Sequence, residues 1–174
     1  MSDTFITMIA IFLAAVLMFI FPLMTLADRN DDITQLTVQT ATTEFVDEIR
    51  RTGKLTEDKY NSFATVIAST GNAYDIEIQF QILDENPSKK TSSTSNVVII
   101  GEIVYYSVYT TQIEDMIGRD SEYILKEGDI VSVSVKNRGS TLAQTLRNVY
   151  YKVSGNNTYT IAASSSGTVT VNGK

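Results

Sequence analysis

Residues 4–27, TFITMIAIFLAAVLMFIFPLMTLA, form a run of 24 residues without a charge, bounded by Asp3 and Asp28. As an α-helix rising about 1.5 Å per residue the run spans roughly 36 Å. That is enough to cross a hydrocarbon core about 30 Å thick. A core helix of a soluble domain normally keeps a polar face, whereas this run is apolar all round. It is expected to be a membrane anchor, with Phe5, Ile9, Phe12, Val16, Phe19, Pro22 and Leu26 among its lipid-facing residues. The competing reading is a cleaved signal peptide, which has a basic leader and a shorter apolar core. Here no Lys or Arg precedes the run. Thr25 and Ala27 supply the small residues of a cleavage site, but the length of the run favours an uncleaved anchor. Pro22 removes one backbone donor and is expected to kink the helix.

The chain then divides into an anchor, residues 1–27, and a domain, residues 28–174. Arg29 follows the run and no basic residue precedes it, which by the positive-inside rule weakly favours a cytoplasmic domain. Asp28, Asp31 and Asp32 surround that arginine, and long domains cross membranes largely regardless of charge. The domain is rich in Ser, Thr and Asn and the chain has no Cys. The first feature suits an exported surface, and the second fits export and the cytosol equally. The expectation is a single-pass protein of the cell membrane with an extracytoplasmic C-terminal domain.

Composition also restricts the chemistry. There is no His, Cys or Trp. That removes the imidazole base, the thiolate nucleophile, disulfides, Cys/His zinc sites and haem ligation by either residue. Fourteen basic against twenty acidic residues give a net charge of −6. Without a basic stripe, nucleic acid is not an expected partner. Asp28, Asn30 and Asp32 have the 1, 3, 5 spacing of a calcium loop, but Ile33 and Gln39 stand where its Gly and Glu belong. The adjacent carboxylates Asp84–Glu85 and Glu114–Asp115 point in different directions on any regular element. Ser164–Ser166 lack both a G-x-S-x-G context and a histidine. Gly128 reads as a turn, as does Asn156-Asn157-Thr158, which also matches a glycosylation acceptor. Tyr105, Tyr106, Tyr109, Tyr150, Tyr151 and Tyr159 read as core or subunit-contact residues before ligand-stacking ones. No catalytic, cofactor-binding or metal-binding residue is assigned, and no cofactor is expected.

Patterning predicts an α+β domain, with the long N-terminal helix, transmembrane then amphipathic, and short helices packed on a mostly antiparallel sheet. Ile33, Ala41, Phe45 and Ile49, with Leu36 and Val46 nearby, suggest that the helix continues past the membrane to a stop at Gly53. Thr37–Thr43 is a point where it is expected to break or bend. Thr56 predicts an N-cap for a helix carrying Tyr60, Phe63, Ala64 and Ile67 and ending at Gly71. Residues 74–82 alternate strictly, with Tyr74, Ile76, Ile78, Phe80 and Ile82 on one face. Residues 84–96 read as a loop, residues 97–109 as mainly strand, and residues 112–117 as a helix before Gly118. Val131, Val133 and Val135 are the preferred buried face of a further strand. Leu142, Leu146, Val149, Tyr150 and Val153 suggest another helix, and the end reads as two strands about a turn at Ser164–Gly167.

An uncharged N-terminal helix, continued by an amphipathic one and followed by a small α+β domain, resembles type IV pilin-like proteins. The segments TGKLTEDKYNSFATVIASTGNAYDIEIQF, LKEGDIVSVSVKN and YTIAASSSGTVTVNGK are similar to small membrane proteins of Gram-positive bacteria associated with tight-adherence (Tad) or type II secretion-like systems. The resemblance implies a minor pilin or pseudopilin role, with the bilayer and other pilus or secretion subunits as partners through the N-terminal helix. The chain departs from the pilin pattern in having no basic leader and no acidic residue between Thr4 and Ala27. The alternative expectation is a membrane-tethered adhesin or ligand-binding module using the tyrosine-rich strands. An anchored hydrolase is disfavoured by the missing His and Cys.

Overall fold

The computed structural model describes residues 2–84, 105–151 and 161–173. Helix α1 runs unbroken from Ser2–Thr52, through Pro22 and through the threonine-rich stretch. The break expected at Thr37–Thr43 is absent, and the threonine hydroxyls bond back along the helix without interrupting it. Thr37, Thr42 and Thr43 donate their hydroxyls to the carbonyls of Ile33, Val38 and Gln39, four residues back, at 2.9, 2.7 and 2.9 Å. A hydroxyl satisfied this way no longer competes for the backbone. Gly53 ends the helix at φ +65°, and its N–H donates to the Ile49 carbonyl at 2.8 Å.

Strand β1 (Lys54–Thr56) leads into α2 (Glu57–Ala68). Thr56 caps α2 by accepting the Lys59 N–H, and Glu57 and Asp58 meet the positive end of its dipole. Then follow β2 (Tyr74–Leu83), β3 (Tyr105–Tyr109), α3 (Thr110–Asp120), β4 (Glu122–Ile124), β5 (Ile130–Asn137), α4 (Leu142–Tyr151) and β6 (Ala162–Thr168). The main sheet has the order β3-β2-β5-β6 with every neighbouring pair antiparallel, and β1 pairs with β4 in a two-stranded ribbon. The fold is α+β, as patterning predicts.

The core lies between the inner face of the sheet and one stripe of α1. Ile78 and Phe80 of β2 and Val131, Val133 and Val135 of β5 meet Val38, Phe45, Val46 and Ile49 of α1. Phe63 and Ile67 of α2 and Ile113 and Ile117 of α3 close the sides. The rings of Phe45 and Phe63 stack 4.2 Å apart, fastening α1 to α2. The valine face of β5 is buried and the β2 alternation faces as expected.

Several details differ from the pattern reading. Ile33 and Leu36 are each 66% exposed, so they do not belong to the buried stripe of α1. A spacing of four drifts by about 40° per step on a helix of 3.6 residues per turn. Four steps from Ile49 therefore carry Ile33 to the far side, and Asp31 and Thr34 take the inner face instead. Gly118 does not stop α3, which runs on to Ser121 in the left-handed region at φ +63°. Ser164–Gly167 is not a turn but the middle of β6, with Ser132 opposite Ser166 and Ser134 opposite Ser164. A sheet with one solvated face takes serines there, so a serine run suits a strand as well as a turn. Gly167 leaves room for the Arg50 side chain, whose Nε donates to the Thr168 carbonyl at 2.9 Å. Leu142 begins α4 but points outward, while Ala143 and Gln144 are buried. The expectations for residues 85–104 and for Val153, Asn156–Thr158 and Tyr159 lie outside the described residues.

Candidate functional site

All seven predicted anchor residues lie on the first half of α1. Phe5, Ile9, Phe12, Phe19 and Leu26 are exposed, Phe19 to 77%, and no part of the most apolar 18-residue window of the helix is buried. Pro22 is also exposed, and Val16 is partly covered. This uncovered apolar cylinder is compatible with a membrane span; a signal sequence has the same outline. Its polar atoms suit a solvent without hydrogen bonds. Thr7 donates to the Asp3 carbonyl at 2.7 Å and Thr25 to the Phe21 carbonyl at 3.1 Å. Neither hydroxyl would enter hydrocarbon unsatisfied, which would cost about 2 kcal/mol or more.

Where the uncharged run ends, a polar junction locks α1 to the domain. Asp28 pairs with Arg147 of α4 at 2.7 Å. Buried Asp31 accepts the Thr141 hydroxyl at 2.6 Å, and that hydroxyl also accepts the Gln144 N–H at the start of α4. Gln35 brackets the backbone of Ala162 at the edge of β6, donating to its carbonyl at 2.7 Å and accepting its N–H at 3.1 Å. Asp28, Asn30 and Asp32 thus sit on a continuous helix, where successive side chains diverge, and do not form a loop. No group of three or more potential metal-ligating side chains occurs among the described residues.

The tyrosines do not gather at one place. Tyr105 and Tyr109 share the outer face of the sheet with Gln79, and Tyr106 is on the other side of β3. All three are exposed, so of the two expected places, core or subunit contact, they do not take the core. Among the described elements β3 is an edge strand, paired only with β2 in the sheet. The backbone of Tyr150 and Tyr151 belongs to α4. Tyrosines that pattern reading placed only on a helical stripe or passed over do structural work. Tyr60 donates to Glu114 at 2.5 Å, joining α2 to α3. Burial, with the Glu114 carboxylate beside it, pushes the Tyr60 phenol up to about 12. Tyr123 packs on Phe80, and burial again raises its phenol, with Tyr106 and Asp129 adding to the effect. Asp129, fully inside, accepts the N–H groups of Leu83 and Lys126 at 2.9 and 2.8 Å and so braces the turn before β5. Sequence reading singled out only its neighbour Gly128, as a turn; the K-E-G-D stretch was the one visible signal.

The outer sheet face is uncharged at its centre. Gln79 donates to the Ser107 hydroxyl at 3.0 Å, and the Ser132 and Ser166 hydroxyls are 2.7 Å apart. One hollow elsewhere is lined mainly by charges and is bounded by Glu44, Asp47, Glu48, Arg50, Arg51 and Thr170. In it Arg50 is held by Asp47 at 2.7 Å. The chain matches no protein-family model, no curated protein and no solved structure, and its own surface is what bears on its role.

Proposed function

We propose that the protein is a non-enzymatic, single-pass membrane subunit of a pilus-like or secretion-like assembly, of the minor pilin or pseudopilin kind. The observation that carries this reading is the uncovered, uncharged half of α1 joined without a break to the helix that organises the domain. A core helix would be covered by its own chain, and among the described residues nothing covers this one. The unbroken backbone and the polar junction at residues 28–35 make anchor and domain mechanically one piece. That rigidity suits a subunit whose position in an assembly is set through its helix. The domain lies outside the cytoplasm, and partner subunits are met through α1.

Membrane fractionation of cells making the full-length chain tests the anchor. The protein should stay with the bilayer after a high-salt or alkaline wash; recovery in the soluble fraction would overturn the reading. A soluble form starting near Asp28 would identify a cleaved signal sequence instead. Protease added to intact cells or protoplasts should remove the domain. Protection until the membrane is opened would put the domain inside and exclude the pilus-like role.

A membrane-tethered adhesin is the second reading. It is favoured by the exposed Tyr105 and Tyr109 beside the uncharged Gln and Ser side chains of the outer sheet face. Binding of intact cells to a surface that is lost on Tyr109→Ala, with assembly unaffected, would select it.

A further inference from the structure

Below the polar junction, a cavity of about 600 Å³ lies between α1, the turn joining α2 to β2, and the first turn of α4. Its walls include Leu23, Leu26 and Ile33 of α1, Leu142 of α4, and the polar side chains of Arg29 and Asn72. Leu142 is 60% exposed although the next two residues are buried. Arg29 is exposed and makes no ion pair with a described residue. The lining therefore mixes these apolar side chains with polar ones, among them one cation, Arg29, and one carboxylate, Asp31, which the Thr141 hydroxyl already holds.

We propose that the base of the domain rests in the headgroup layer of the bilayer, with Leu142 inserted and the cavity occupied by phospholipid headgroups. This rests on the membrane-anchor reading. Given that reading, the depth follows from the helix. The uncharged run is roughly 36 Å long and the hydrocarbon core about 30 Å, so the end of the run at Leu26 and Ala27 lies at headgroup level. Leu23 is one turn deeper, about 6 Å. Leu142 follows Thr141, whose hydroxyl is bonded to Asp31 four residues above Ala27, so Leu142 sits within about one turn of the end of the run. An exposed leucine is costly facing water but favourable at the headgroup–acyl boundary. Arg29 faces the layer that carries lipid phosphates, and a guanidinium is a strong phosphate donor. The occupant is thus continuous with the lipid around the span and not a separate soluble ligand.

The absence of cysteine from the chain makes the test clean. Four single-cysteine variants of the full-length protein, Leu17→Cys, Asn72→Cys, Leu142→Cys and Val171→Cys, are labelled with a fluorophore. They are reconstituted in phosphatidylcholine–phosphatidylglycerol vesicles carrying a nitroxide either on the headgroup or at mid-chain. The mid-chain nitroxide should quench the label at position 17. The headgroup nitroxide should quench those at 72 and 142 several-fold more than that at 171, beyond the far end of the buried half of α1. Labels at 72 and 142 behaving like that at 171, with position 17 still quenched, would overturn the proposal and leave the anchor standing. Loss of quenching at position 17 as well would overturn both.

Discussion

Residues 5–26 and 38–49 belong to one helix, yet Phe19 is 77% exposed and Ile49 is fully buried. Local propensity does not separate the two halves, since both are continuous helix. Coverage does. The distal half finds β5, β6 and α2 against its apolar stripe, whereas among the described residues nothing buries the apolar window of the proximal half. Between them lies a stretch where Asp28, Asp31 and Gln35 face the domain with polar groups. Apolar surface is thus assigned to two different partners along one element, the domain core above and, on the reading proposed here, lipid below.

The sharpest way to break this comparison is to put the same charge into each half. Ile49→Asp buries an unpaired carboxylate and should destabilise the domain by about 4 kcal/mol or more. It should be visible as loss of the near-UV dichroism melt of the full chain in detergent. Phe12→Asp should leave that melt unchanged and instead weaken membrane insertion, by about 3 kcal/mol for a central aspartate. A domain that also melts on Phe12→Asp would mean that the proximal half contributes to its core.

A smaller effect is expected where α1 stops. Gly53 has φ +65° and packs its Cα face against Gly173 and the Val171 carbonyl, with no room for a methyl group. Its carbonyl accepts the Leu125 N–H at 2.7 Å. Gly53→Ala should cost roughly 2 kcal/mol in urea unfolding, from the left-handed backbone and the displaced tail. An unchanged midpoint would mean that the tail is not seated on the helix end.

At the polar junction Thr141→Val removes both the donor to Asp31 and the acceptor that caps α4, a loss of about 1–2 kcal/mol. Thr141→Ser should recover most of it. The smallest effect concerns a contact that α1 does not make. Tyr60→Phe should cost under about 1 kcal/mol at neutral pH. The Tyr60 phenol titrates near 10 when unfolded and at about 12 when folded. The folded state therefore holds the proton more tightly. Its contribution is complete below pH 10 and fades as pH rises to 12. Wild-type and Tyr60→Phe urea midpoints should converge over that window; a constant difference would mean that the folded phenol is neither buried nor held by Glu114.

Alternation was the most legible part of the fold. The β2 and β5 faces follow from a period of two, where one residue of error would invert every side chain. The cap at Thr56 and the stop at Gly53 were legible because each has a local chemical cause. The uncharged run was legible for the same reason. The α1 stripe was misread below Phe45 because Ile33 and Leu36 are apolar yet face away, while buried Asp31 and Thr34 are polar. Their burial depends on Thr141, more than a hundred residues later. The serines of β6 were misread because strand and turn share that composition, and only pairing with β5 decides between them. The β1–β4 ribbon was missed since three residues carry too little pattern for either strand to be recognised alone.

The attachments of α1 to β6 have a consequence in time. Gln35 meets Ala162 across 127 positions of sequence, and Arg50 meets Thr168 across 118. A ribosome adding about 5–20 residues per second needs roughly 6–24 s to cover such a distance. Through that interval the anchor has already been made, while Val38, Val46 and Ile49 wait beside it without the strand that closes over them. Contacts of such long range also fold slowly once available. On the membrane-anchor reading the newborn protein is therefore a tethered chain with a bare hydrophobic stripe held close to the bilayer, and the arrival of β6 ends its exposure to chaperones, proteases and its neighbours.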